Sequence, residues 1–287
     1  MTPAGRSDRV RAKRSLSQNF LVDGNLRRRI VGCLEAEPGD RVLEIGPGHG
    51  ELSELLVGEV GDLVLVEKDD RLAPLLVELW GARPDVRIVH ADALDLDLSE
   101  LVAGTAPLRV ISNLPYAITT PLLFRFLGLR PLPARIVVLV QLEVARRITA
   151  EAGSKAYGAL TVGIRAVADA RLAFPVGRRA FRPVPDVDSA VVVIDPRADP
   201  PPPRELEALR VLTRAAFGRR RKQIRRILRD APEFSLAPGQ AEAVLGSVGV
   251  EPDARPETIP TGTLLELARR LRPAPGDGGK GGGPGAS

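Results

Sequence analysis

Arg41-Val42-Leu43-Glu44-Ile45-Gly46-Pro47-Gly48-His49-Gly50 is an apolar run that passes directly into alternate glycines. Pro38-Gly39-Asp40 interrupts the helical stripe of Leu26, Ile30, Cys33 and Leu34 that precedes it, and a helix is expected from Glu51 to Val57. The stretch therefore reads as a buried strand, a tight turn and a helix, with glycines that let backbone approach a ligand closely. The unit recurs. Leu63-Val64-Leu65-Val66 ends at Glu67, Val86-Arg87-Ile88-Val89 runs to Ala91-Asp92, Leu108 to Ile111 runs to Asn113, and Arg135 to Val140 forms a fifth apolar run. Helical patterns at 71–80, 121–127 and 144–150 lie between or after them. Short apolar strands alternating with helices predict an α/β fold: a Rossmann-like parallel sheet with helices on both faces.

Two later runs, Ala170–Phe174 and Ala190–Ile194, read as adjacent strands of an antiparallel edge hairpin. Asp195-Pro196 through Pro200-Pro201-Pro202-Pro203 is a stiff linker, followed by helical patterns at 205–217, 221–228, 240–248 and 263–271. The expected organisation is a basic N-terminal arm at 1–17, a sheet domain at 18–198, a small all-helical C-terminal domain at 204–272, and a Gly/Pro-rich disordered tail at 273–287.

The chain has 287 residues, enough for a large domain with a small appendage, and its formal charge of +5 comes mostly from arginine. Arginine presents a planar fork suited to phosphate, which points to a polyanionic partner, although genomic base composition would enrich arginine too. Cys33 is the only cysteine, which excludes an internal disulfide and a cysteine-rich zinc site, and with only His49 and His90 no metal constellation is apparent. No apolar run approaches the ~20 residues that span a bilayer. A cytoplasmic monomer is expected.

The chemistry lies at the strand ends. Gly46 and Gly48 differ in spacing from the dinucleotide G-x-G-x-x-G, and no Gly-Lys-Ser/Thr follows for a triphosphate. Glu67 stands where a carboxylate accepts ribose hydroxyls, and Asp92 where one accepts an adenine amino group. Each alone would pass for a solvated strand-end acid. Together they converge on one rim with Asn113, because ligands of parallel sheets bind outside the carboxyl ends of the strands. Asn113-Leu114-Pro115-Tyr116 presents an amide, a carbonyl whose direction Pro115 restricts, and a ring for stacking on an extruded base. An exocyclic amine whose hydrogens are accepted by Asn113 Oδ1 and a backbone carbonyl is biased toward a nucleophilic, tetrahedral nitrogen. The ordering favours S-adenosyl-L-methionine, with its methyl group facing Asn113.

Ser17-Gln18-Asn19-Phe20-Leu21, the glycine turn, Asn113 to Tyr116, and Phe181-Arg182-Pro183-Val184-Pro185-Asp186-Val187-Asp188-Ser189-Ala190 together resemble the ribosomal RNA adenine N6-dimethyltransferase family, over about 11–271. The resemblance implies that Asn19 and Leu21 close over the cofactor, Gly46 approaches it by backbone, Glu67 takes the ribose and Asp92 the adenine. It further implies that Asn113 holds the target amine while Tyr116 and Phe181 stack on the base. Phe181, between Ala180 and Arg182, would equally serve as a plug of its loop.

Gly153-Ser154-Lys155-Ala156-Tyr157-Gly158 and Ala216-Phe217-Gly218-Arg219-Arg220-Arg221-Lys222-Gln223-Ile224-Arg225 resemble the branch of KsgA type, which modifies two adjacent adenosines near the end of small-subunit ribosomal RNA. Ser17 and the Arg-rich amino terminus lean toward the erythromycin-resistance branch, which modifies one adenosine of large-subunit RNA. Arg219, Arg220, Arg221, Lys222 and Arg225 form a cluster expected to contact RNA phosphates, in the setting of an immature small subunit. A ribosome-assembly factor that only binds RNA is the reading of another class; the acids and Asn113 argue against it.

Overall fold

The computed structural model describes residues 18–115 and 118–271. The expected basic arm at 1–17, Tyr116, and the tail beyond 271 lie outside the described residues. Among the described residues two compact units are distinguished, one within 18–149 and 167–198, the other 150–166 and 199–271.

The first unit is built on a seven-stranded sheet. In chain order its strands are β2 (Arg41–Ile45), β3 (Asp62–Glu67), β4 (Val86–His90), β5 (Leu108–Asn113), β6 (Arg135–Gln141), β7 (Ala168–Val176) and β9 (Ser189–Pro196). A separate two-stranded piece pairs β1 (Phe20–Leu21) with β8 (Phe181–Arg182). The order across the large sheet is β4-β3-β2-β5-β6-β9-β7; β2 to β6 are parallel, and β9 pairs antiparallel with both β6 and β7. β2 thus has β3 on one side and β5 on the other, and the chain reverses its direction of travel between them. That crevice is where open α/β sheets hold ligands.

The strands are legible because both faces are covered: Val42, Leu43, Val110, Ile136 and Val138 have no exposure at all. Helices α1 (Gly24–Gly32), α2 (Leu72–Trp80), α3 (Leu98–Leu101), α4 (Thr119–Gly128) and α5 (Leu142–Ile148) complete the unit. Asp23 caps α1, its side chain accepting from the backbone N–H groups of Asn25 and Leu26. The helix expected at 51–57 is replaced by turns around a single 3-10 turn, Ser53–Leu55. The segment is bounded by Gly50 at φ +82° and Gly58 at φ +81°, and a Cβ on Gly50 would lie 2.3 Å from the Trp80 ring. Leu52 and Leu56 are still buried, so the apolar spacing is satisfied by turns too short for a regular helix.

The second unit is all-helical: α6 (Ala159–Arg165), α7 (Pro203–Gly218), α8 (Ile224–Asp230), α9 (Gln240–Gly246) and α10 (Thr261–Arg270). Pro203 occupies the first turn of α7, where its missing N–H costs no hydrogen bond. Residues 150–166 correct the expected contiguous domain at 18–198. They group with the C-terminal helices because the buried Tyr157 hydroxyl donates to Ile259 O at 3.0 Å and Gly153 N donates to Glu257 O at 2.6 Å. Among the described residues, no helix is long and apolar enough to cross a membrane.

Candidate active site

Four successive strand ends of the first unit line one cavity of about 200 Å³: Gly46 and Gly48 after β2, Glu67 at the tip of β3, Asp92 after β4, and Asn113 with Leu114 and Pro115 at β5. Asn19 and Leu21 line it as well. The sequence-derived set is therefore brought together, apart from Phe181 and the undescribed Tyr116.

The glycine turn is held by its own backbone. Gly46 and Gly48 have φ of +67° and +65°, conformations that side chains rarely adopt. Gly46 N donates to Val66 O at 2.9 Å, and a Cβ on Gly46 would meet nothing within 4 Å, leaving open space above its backbone. Glu67 is buried, its Oε2 accepting from Gly48 N at 3.1 Å and its Oε1 from Asp69 N at 2.8 Å. Burial pushes its pKa up, and these backbone donors oppose the rise by stabilising the charged form.

Asp92 is held ionised. Lys68 Nζ lies 2.5 Å from its Oδ2, and Leu94 N donates to Oδ1 at 2.9 Å, both lowering its pKa. Lys68 also lines the cavity and was not foreseen; its position directly after Glu67 was the available signal.

Asn113 Nδ2 donates to the carbonyl of Asn19 at 3.0 Å. A carbonyl only accepts, so this bond assigns the amide orientation and turns Oδ1 away from Asn19 as a remaining acceptor. Leu114 N is occupied by Leu139 O at 3.1 Å, and Pro115 O accepts from Ile118 N at 3.1 Å.

A buried acid passed over by the sequence reading completes the floor. Glu44 is 1% exposed, lines the same cavity and accepts from Ser53 Oγ at 2.6 Å. Burial pushes its pKa up to about 8, opposed by the Ser53 hydrogen bond and reinforced by the charges of Glu51 and Glu67. Alternation along β2 gave no hint, because that strand is buried throughout.

Phe181, expected to stack on the base, is 1% exposed, belongs to the hydrophobic core, pairs opposite Leu21 and is not among the residues lining this cavity. Among the described residues, the aromatic lining the cavity is Phe20, whose ring meets His49 edge-on at 4.4 Å between centroids.

In the second unit the basic cluster occupies the turn from α7 to α8. Arg221 and Lys222 are exposed, whereas Arg219, Arg220 and Arg225 are partly covered. Arg220 points inward, donating to Ser154 O at 3.2 Å and standing 3.7 Å from Glu257. Lys222 lies 3.4 Å from Asp230, and Arg225 donates to Gln223 at 3.3 Å. Of the cluster expected to contact RNA phosphates, Arg220 is bonded within its own unit.

Residues 9–272 match the family described as "Ribosomal RNA adenine dimethylase". The chain belongs to this family. It is 43% identical over 268 residues to a ribosomal RNA small subunit methyltransferase A of Phenylobacterium zucineum, covering 92% of this chain and 91% of that one. It is 39% identical to a protein of the same description from Geobacter sulfurreducens, covering 94% and 99%. Among solved structures, it resembles a 23S rRNA methyltransferase, ErmE, at TM-score 0.68 and 30% identity, covering 88% of this chain and 99% of that one. A dimethyladenosine transferase from Plasmodium falciparum superposes at TM-score 0.71 with 22% identity, covering 86% and 95%, a likeness of fold. Members of the family use S-adenosyl-L-methionine, and the cavity fits it: acceptors stand at successive strand ends above a side-chain-free glycine backbone.

Proposed function

We propose that this protein dimethylates N6 of two adjacent adenosines near the 3′ end of small-subunit ribosomal RNA, acting on the immature small subunit in the cytoplasm as a monomer. The observation that carries the reading is the convergence of Gly46, Glu67, Asp92 and Asn113 on one cavity, in a chain whose relatives at 39–43% identity are described as small-subunit methyltransferases.

In this reading Glu67 accepts the ribose hydroxyls, Asp92 accepts from the adenine amino group of the cofactor, and Gly46 and Gly48 leave room for close backbone approach. Asn19 and Leu21 cover the cavity from the amino-terminal side. S-adenosyl-L-methionine, when bound, supplies an electrophilic methyl group. Asn113 Oδ1 and the Leu114 carbonyl accept the hydrogens of the target amine and hold its lone pair out of the ring. Pro115 fixes the direction of that carbonyl, and Tyr116 stacks on the extruded base. Positioning of this kind contributes ~7–11 kcal/mol to lowering a barrier, so no strong general base is required. Arg219, Arg221, Lys222 and Arg225 neutralise RNA phosphates.

The test offers purified protein and labelled cofactor to unmethylated small and large subunits separately. Label on adenine N6 of the small-subunit RNA is expected, and label on large-subunit RNA would overturn the reading.

A further inference from the structure

Residues 18–21 pass the rim of the sheet as a short strap fixed at successive points. Gln18 Nε2 donates to Asp69 Oδ2 at 2.9 Å, just beyond β3, and the next carbonyl, that of Asn19, accepts from Asn113 Nδ2 at the end of β5. Leu21 O is gripped by both Nε and Nη2 of the buried Arg27, at 2.9 and 2.6 Å. The anchor is rigid in turn. The Asp69 residue is 1% exposed, its N–H donates to Glu67, and its carboxylate is clasped by Arg71 Nε and Nη2 at 3.1 and 2.7 Å.

A primary amide has a donating and an accepting end, and rotation by half a turn exchanges them. With the Asn19 carbonyl in place, the flipped rotamer of Asn113 would set oxygen against oxygen. The strap therefore decides which end of Asn113 is left to accept hydrogens. A displacement of the strap would release that choice.

We infer that Gln18 is a positioning residue for methyl transfer: by anchoring the strap on Asp69 it holds the Asn19 carbonyl where it orients the Asn113 amide. The inference rests on the reaction proposed for this cavity. It also joins the cofactor end to the acceptor end, since Asp69 is bonded at once to Glu67 and to Gln18. Each end of the cavity is thereby braced on the other through the amino-terminal strap.

The test uses the full chain and Gln18→Ala. Three quantities are read: kcat on unmethylated small subunits, the Kd for S-adenosylmethionine, and the side-chain amide NMR signal of Asn113, assigned by its loss in an Asn113 variant. Loss of the anchor is expected to lower kcat by about 10- to 100-fold, as misplacement of a reacting group does. Cofactor Kd should change little, and the Asn113 amide signal should shift. Gln18→Glu, which sets an acceptor against the Asp69 carboxylate in a side chain of the same length, should lose rate to the same extent. An unchanged kcat and amide signal in Gln18→Ala would overturn the inference, as would a Gln18→Glu variant as fast as the wild type. Failure of the wild-type protein to methylate small-subunit RNA would instead sink the proposed reaction, while the amide signal would still report on the strap.

Discussion

The carboxylate of Glu67 accepts the N–H of Gly48 across 3.1 Å, tying the tip of β3 to the glycine turn that follows β2. A second N–H, from Asp69, occupies its other oxygen. The side chain is thus fixed before any ligand arrives and presents its remaining lone pairs to the cavity. Hydrogen bonds to a charged group contribute about 1.5–3 kcal/mol each. Glu67→Ala should therefore weaken binding of S-adenosylmethionine by at least about tenfold in an equilibrium titration. Unaltered affinity would remove Glu67 from the cofactor site.

Glu44 makes stability depend on pH in a defined direction. Its folded pKa of about 8 exceeds its ordinary 4.5, so between those values the folded chain keeps a proton that the unfolded chain has lost. Stability from this group is fully present below about pH 4.5 and is lost as pH rises through about 8. Melting temperature of the ligand-free protein should fall over that window, and Glu44→Gln should flatten the fall. An equal slope in the variant would show that Glu44 is ionised in the fold.

Phe181 is a packing residue, opposite Leu21 and inside the core. Phe181→Ala should cost about 3–5 kcal/mol of unfolding free energy, as truncation of a buried aromatic does. Denaturant unfolding checks this. A variant of native stability but low turnover would restore a stacking role.

The basic turn separates into exposed cations, Arg221 and Lys222, and the inward-held Arg220. Arg221→Ala with Lys222→Ala should weaken RNA binding and reduce the steepness of log K against log salt by roughly 1.4–1.8, from 0.7–0.9 per phosphate contact. An unchanged salt slope would remove these two from the interface. Arg220→Ala should instead lower the melting temperature, since it deletes the bond to Ser154 O and the pairing with Glu257.

The sheet was readable because β2, β3, β5 and β6 are largely covered on both faces and appear as mostly apolar runs. The strand-end acids followed from the topology those runs imply. What escaped depended on contacts distant in sequence. The β1–β8 pairing chose Phe20 over Phe181 for the cavity, and apolar spacing carries no trace of a two-residue pairing. The bond between Tyr157 and Ile259 groups 150–166 with the helical unit, a contact between residues distant in sequence. Glu44 escaped because an acid within a buried strand has the same spacing as its apolar neighbours.

Asn113 carries the central claim, that the methyl group is transferred at the end of β5. The most direct measurement is single-turnover transfer from S-adenosylmethionine to unmethylated small subunits by Asn113→Ala, alongside the cofactor Kd of the same variant. Transfer reduced by at least about 100-fold with a nearly unchanged Kd is the predicted result, since the loss falls on positioning of the reacting amine. Transfer at close to the wild-type rate would contradict it.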